Sequence, residues 1–122
     1  MSISDDINTK IVFSSTAIAK SGTSTSADID LSDYKPLGYF SLQLTVTGDG
    51  TAQITYQLSN DGDTFVTPTS AQDIVTAHTK TTGTSGVDIY SFFPEPAKYI
   101  RIVATETGGA NTITVTGILF IQ

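Results

Sequence analysis

The chain has 122 residues, of which 39% are hydrophobic, 15% are charged and none is Cys. This length fits a single domain whose core forms without disulfides or thiolate-bound metals. Twelve acidic residues against six basic ones give a net charge of −6 with no basic cluster, which argues against nucleic acid as a direct partner.

The first nine residues precede the first predicted strand and are mostly polar. We therefore expect an N-terminal arm over residues 1–9 and a single β-sandwich domain over residues 10–122. Ile3 and Ile7 are apolar residues on a polar arm, and we expect them to contact a neighbouring subunit. A disordered start is the alternative.

Thr and Ser dominate the composition, with 21 and 13 residues, while strong helix formers are scarce. Thr, Val, Ile, Tyr and Phe suit a pleated, half-buried surface. Alternation of apolar and polar residues predicts about eight strands, at residues 10–19, 27–31, 38–47, 51–59, 64–67, 87–93, 98–106 and 112–122. Residues 74–75 fit either a strand or one helical turn. The pattern predicts an all-β fold, an antiparallel two-sheet β-sandwich or jelly roll.

Two pairs of strands are predicted to form hairpins. Gly48, Asp49 and Gly50 separate residues 38–47 from residues 51–59, and an Asp-Gly pair favours a hairpin turn. Residues 108–111, Gly-Gly-Ala-Asn, predict a second hairpin that joins residues 99–105 to residues 112–122.

Residues that could support catalysis or metal binding are few. His78 is the only histidine, and we expect it in a surface loop without a catalytic role. Residues 60–63, Asn-Asp-Gly-Asp, offer several oxygens, but they lack the ligand spacing of an EF-hand, which favours a plain turn over a calcium site. Glu95 and Glu106 are expected to be structural. We therefore expect no catalytic residue, no cofactor, no metal and no enzymatic activity.

Apolar residues lie on both faces of the last predicted strand. Leu119 and Ile121 are expected to face the core, whereas Ile118 and Phe120 face the opposite way. Ile118 and Phe120 are therefore candidate interface residues, with burial under a loop as the alternative. Among the eleven aromatic residues, alternation assigns five to the core: Phe13, Phe40, Tyr56, Phe65 and Phe93.

Two segments carry a resemblance to known families. Residues 54–65, Ile-Thr-Tyr-Gln-Leu-Ser-Asn-Asp-Gly-Asp-Thr-Phe, and residues 94–105, Pro-Glu-Pro-Ala-Lys-Tyr-Ile-Arg-Ile-Val-Ala-Thr, resemble strand-turn-strand signatures of discoidin or galactose-binding-like jelly rolls. Together with residues 107–111 and the final strand, they are also similar to small virion accessory proteins of tailed phages. The likeness covers residues 38–122.

The resemblance to phage accessory proteins implies a non-enzymatic virion structural protein, of the capsid decoration or cement type, that stabilises a phage head. It implies the major capsid protein or other virion proteins as partners, and a homotrimer. The lack of Trp, and of a basic and apolar start typical of a secretory signal, favours this interpretation. The alternative is a carbohydrate- or receptor-binding module of a phage tail or fibre.

We expect synthesis in the host cytoplasm and a final location in the virion. A membrane is not an expected partner, because the longest apolar run, residues 118–121, is far shorter than the ~20 residues of a membrane helix.

Overall fold

The structure, a computed structural model, describes residues 8–122 and contains nine β-strands. The strands are β1 (Asn8–Ile18), β2 (Thr23–Thr25), β3 (Ile29–Asp30), β4 (Phe40–Gly48), β5 (Ala52–Ser59), β6 (Val75–His78), β7 (Val87–Phe92), β8 (Tyr99–Glu106) and β9 (Ile113–Ile121). A short 3-10 helix, Leu31–Asp33, follows β3. The all-β prediction is confirmed. Residues 64–67, expected as a strand, contribute one isolated bridge, between Val66 and Leu58.

The strands form two antiparallel sheets. One sheet has the order β1-β9-β4-β7, and the other has the order β2-β8-β5-β6, with β3 also paired to β8. Counting β2 and β3 as one interrupted strand gives orders 1-8-3-6 and 2-7-4-5. These are the orders of an eight-stranded jelly roll, so the predicted two-sheet sandwich is confirmed.

Neither predicted hairpin forms. β4 pairs with β7 and β9, whereas β5 pairs with β6 and β8, so residues 49–51 cross from one sheet to the other. β8 and β9 also lie in different sheets, and residues 107–112 cross between them. Strands joined by a crossover and strands joined by a hairpin both turn an apolar face to the core. Because the alternation of apolar and polar residues is the same in both cases, it does not distinguish them.

A buried carboxylate holds these crossing loops together. Glu106, at the end of β8, is 1% exposed, and its two oxygens accept four backbone N–H groups, from Ser21, Thr51, Gly108 and Gly109, at 2.7–3.1 Å. The N–H of Thr51, followed by the other three, lowers the pKa of Glu106 to about 2. The expected structural role of Glu106 is confirmed.

The core fills the space between the sheets with inward-facing aliphatic side chains. The largest fully buried ones are Leu42, Leu44, Ile54, Ile100, Ile102, Ile113, Leu119 and Ile121. Phe13, Phe40 and Tyr56 are buried as predicted, and Phe65 is half-buried.

The assignment of Phe93 to the core is wrong. Phe92 pairs with Phe40 in the register of β7 and β4, so it shares the inward face, and its ring lies 5.6 Å from that of Phe40 and 5.7 Å from that of Tyr56. Phe93 follows the last residue of β7 and is 71% exposed.

Candidate interaction surface

The outer side of the four-stranded sheet carries apolar side chains among neutral polar ones. Directly paired residues of antiparallel strands lie on the same face. Ile11 pairs with Ile118, Ile118 with Gln43, and Gln43 with Ile89, so one row of side chains crosses all four strands. Ile11 is 63% exposed and Ile89 is 59% exposed.

A second row lies beside the first and contains Thr9, Phe120, Ser41 and Ser91. We call these two rows the outer sheet face. Ile118 and Phe120 are half-buried there, and Leu119 and Ile121 are buried on the other side, as the alternation predicts.

No charged side chain occurs among the outward-facing residues of β4, β7 and β9. These residues are Ser41, Gln43, Thr45, Thr47, Val87, Ile89, Ser91, Thr114, Thr116, Ile118 and Phe120. The surface is thus neutral in a chain with a net charge of −6.

The outer side of the other sheet is polar and its side chains are bonded to one another. Arg101 donates to Gln57 at 2.8 Å, lies 4.2 Å from the ring centroid of Phe65, and approaches Asp28 at 4.0 Å. The two outer sides therefore differ: β4, β7 and β9 carry no charged side chain on theirs, whereas the other sheet carries Arg101.

Two exposed aromatic rings extend the apolar surface beyond the strand ends. Tyr39 and Phe93 are 58% and 71% exposed, and their rings meet edge to face with centroids 6.4 Å apart. The backbone of Tyr39 exchanges two hydrogen bonds with Gln122, which continues the pairing of β4 with β9. Sequence alternation alone did not identify Ile11, Ile89, Tyr39 or Phe93 as surface residues.

Ile3 and Ile7, the other predicted interface residues, lie outside the described residues, so their contacts remain a prediction. Asn8 and Thr9, which the sequence assigned to the arm, are paired in β1 with Ile121 and Phe120.

The placement of His78 in a surface loop is wrong. His78 ends β6, is fully buried, and has a bond from Nδ1 to the hydroxyl of Tyr90 at 2.7 Å and from Nε2 to the carbonyl of Gly86 at 2.8 Å. A carbonyl only accepts, so Nε2 carries a proton and donates to Gly86, while Nδ1 is paired with the Tyr90 hydroxyl. The two ring nitrogens therefore join β6 to β7 and to the loop before it.

Residues 60–63 form the predicted turn. Oδ1 of Asp61 accepts the N–H groups of Thr64 and Asp63, both at 2.9 Å, and the hydroxyl of Ser59 at 2.8 Å. These bonds, led by that of Thr64, lower the pKa of Asp61 to about 2. Among residues 8–122, no group of three His, Asp or Glu side chains is placed to hold a metal ion.

Three clefts lie where residues 31–38, 60–73 and 93–98 meet, at the end of the sandwich opposite Glu106. The first, which we call the end cleft, has a volume of about 410 Å³ between residues 31–40 and residues 94–98. The second, of about 330 Å³, is polar and is lined by Tyr56, Ser70, Gln72, Asp73, Ser91, Phe92, Phe93 and Glu95. The third, of about 410 Å³, lies along residues 58–68.

Glu95 separates the first two clefts. It lies between Pro94 and Pro96, and its Oε1 accepts the hydroxyl of Tyr56 at 2.8 Å. Burial, followed by this contact with Glu95, raises the pKa of Tyr56 to about 12. The bond fixes the loop between β7 and β8 to a side chain of β5, in agreement with the structural role expected for Glu95.

Within residues 8–122, no helical segment is long and apolar enough to cross a membrane.

No protein-family model and no curated protein matches the chain. Among solved structures, it is similar to the VP2 subviral particle protein of infectious bursal disease virus, with a TM-score of 0.55 and 15% identity. The match covers 94% of this chain and 32% of VP2, so the chain spans about a third of that protein. The SPBc2 prophage-derived protein YomS aligns over 94% of this chain and 93% of its own, with 12% identity and a TM-score of 0.46. The likeness to VP2 shows a shared fold.

Proposed function

We propose that this protein is a non-enzymatic virion structural protein of the capsid decoration or cement type, which binds neighbouring virion subunits through its outer sheet face. The observation that carries the proposal is an uncharged surface on an acidic chain, where Ile118 and Phe120 lie with Ile11 and Ile89 among neutral polar side chains. The fold shared with the VP2 subviral particle protein and the sequence resemblance to tailed-phage accessory proteins support the virion as the setting.

The size of the surface explains how such a protein would attach. Four strands about 4.8 Å apart, with an average length of about nine residues, cover roughly 600 Å², somewhat less than the ~800 Å² per partner of a standard stable interface. One contact of this size is weak, so attachment relies on several simultaneous contacts. A homotrimer on a capsid lattice supplies them, because the second and third contacts are then intramolecular.

The distribution of charge favours association through the outer sheet face over association through other surfaces. A net charge of −6 keeps free copies apart, whereas the outer sheet face has no like charges to bring together. The same distribution directs association to one side of the sandwich. The side chain of His78, with both ring nitrogens engaged in structural bonds, supports a role without catalysis.

The test is cosedimentation of purified protein with phage heads that lack it. Ile118→Asp places a charge at the centre of the outer sheet face, and we expect at least a tenfold loss of bound protein, with a change in melting temperature no larger than that of the matched control. The matched control is Val103→Asp, which places the same charge on the outward side of β8, and it should bind like the wild type. Normal binding by Ile118→Asp would contradict the proposal.

The second candidate function is glycan or receptor binding by a tail or fibre module. It is favoured by the polar cleft, where the exposed ring of Phe93 borders Gln72, Asp73 and Glu95. An aromatic ring beside planar polar groups suits a sugar, which has an apolar face and hydroxyl edges. A glycan array distinguishes the two functions: specific binding that Phe93→Ala abolishes supports this candidate, and an array without signal removes it.

A further inference from the structure

The end cleft is the most apolar of the three clefts in the described part of the chain. Its apolar lining comes from Leu31, Pro36, Leu37, Phe40, Pro94 and Pro96. Leu37 is 75% exposed, the largest exposed fraction among the large hydrophobic side chains of residues 8–122. Apolar surface of this kind favours an occupant that removes it from water.

Cationic side chains border the cleft. Lys35 and Lys98 are two of only six Lys and Arg residues in the chain, and both line it. Glu95 is the one acidic residue in the lining, and its carboxylate is engaged by Tyr56. Asp30 is close enough to Lys98 for the lysine to help lower its pKa, although Ser32 is the main cause. The lining itself thus has two lysines and one carboxylate that is already bonded, which favours an apolar ligand that also carries negative charge.

The segment before β1 has this composition. Residues 1–7 read Met-Ser-Ile-Ser-Asp-Asp-Ile, with apolar side chains at Met1, Ile3 and Ile7 and carboxylates at Asp5 and Asp6. The apolar positions match the cleft wall, and the two adjacent carboxylates match the two lysines at its border.

The segment also starts close to the cleft. Asn8 of β1 and Phe40 of β4 both pair with Ile121 of β9, so two strand spacings, about 10 Å, separate Asn8 from the cleft wall. Seven extended residues span about 23 Å, which is more than this distance. A tethered segment this near has an effective concentration in the millimolar range, well above the concentration of a second copy in dilute solution.

We propose that residues 1–7 bind in the end cleft of their own chain, with Ile3 against the apolar wall and Asp5 and Asp6 facing Lys35 and Lys98. This inference does not depend on the proposed function. It differs from the expectation that Ile3 and Ile7 contact a neighbouring subunit, because it directs them to their own chain.

Disulfide trapping tests the proposal in the full chain, which has no native Cys. Ser4→Cys is combined with Ala97→Cys, a small residue in the cleft lining, and the pair is oxidised mildly at low micromolar concentration. The control combines Ser4→Cys with Thr81→Cys, an exposed position in the loop at the opposite end of the sandwich. Ser32→Cys, also in the lining, replaces Ala97→Cys if that variant does not fold.

We expect a disulfide within the monomer that forms at least about tenfold faster in the cleft pair than in the control pair. Adding Ile3→Asp, or Lys35→Glu with Lys98→Glu, should remove most of this advantage, whereas Lys10→Glu with Lys20→Glu should retain it. Equal rates for the cleft and control pairs would overturn the proposal. A covalent dimer as the main product would also overturn it and would favour contact with a neighbouring copy. Neither result bears on particle binding through Ile118.

Discussion

The backbone N–H of Thr51 donates to Oε2 of Glu106 over 2.9 Å, between residues 55 positions apart in the sequence. The same carboxylate accepts the N–H groups of Ser21, Gly108 and Gly109, so three loops that connect the sheets meet on one side chain. A neutral side chain cannot replace it without loss, because all four partners are donors.

We predict that Glu106→Gln lowers the free energy of unfolding at pH 7. The amide nitrogen of Gln would point donor hydrogens at two N–H groups that require an acceptor, and a buried donor left unsatisfied is unfavourable. The measurement is the urea midpoint. Glu95→Gln is the matched control, since it changes an exposed carboxylate that accepts one hydroxyl bond, and its midpoint should shift less. An equal shift in both variants would refute the role assigned to Glu106.

Acid should destabilise the protein chiefly through two carboxylates. The pKa of Glu106 falls from 4.5 to about 2 and that of Asp61 from 3.8 to about 2 on folding. A carboxyl with a lowered folded-state pKa contributes stability above its unfolded value and loses it as the pH falls towards the folded value. We therefore expect unfolding midpoints to decrease between about pH 4.5 and pH 2.

The variants separate the two contributions. Glu106→Gln should be less stable at pH 7 but should show a shallower decrease in acid, and Asp61→Asn should remove a further part of that decrease. Urea titrations at several pH values provide the measurement. A wild-type acid dependence retained by the double variant would show that other groups are responsible.

The two crossings between sheets illustrate what local sequence cannot predict. The turn at Gly48 to Gly50 has the residues of a hairpin, and its flanking strands have a hairpin's alternation. On the observed path, Thr51 donates to Glu106, which is distant in sequence and whose burial no local pattern indicates. A Cβ on Gly50 would lie 2.8 Å from Oε2 of Glu106, so this glycine serves a close approach rather than a hairpin turn.

The interaction surface was predicted in part for the same reason. Alternation within β9 placed Ile118 and Phe120 outward, and the structure confirms those directions. Alternation within one strand does not indicate which strands are its neighbours in the sheet. The row that contains Ile118, Ile11 and Ile89 could therefore be identified only from the strand order in the structure.

His78 offers a prediction about a buried polar pair. Tyr90→Phe removes the hydroxyl bonded to Nδ1 and leaves this buried nitrogen unpaired, which should lower the free energy of unfolding by about 1–3 kcal/mol. Tyr39→Phe removes a hydroxyl from a 58% exposed ring and should change it by less than about 0.5 kcal/mol. Chemical denaturation measures both. Equal stabilities would mean that the His78 bond contributes nothing net.

Truncating a side chain should cost much more stability on the inner side of the four-stranded sheet than on its outer side. Leu42→Ala opens a cavity in the core, where Leu42 is fully buried, and should lower the free energy of unfolding by about 2–5 kcal/mol. Ile89→Ala on the outer sheet face should change it by less than about 0.5 kcal/mol, because Ile89 is 59% exposed. The same Ile89→Ala variant should weaken binding to phage heads, since it removes apolar area only from the proposed contact. A large loss of stability in Ile89→Ala would show that this side chain supports the fold. That result would contradict the assignment of the outer sheet face as a surface free to bind a partner.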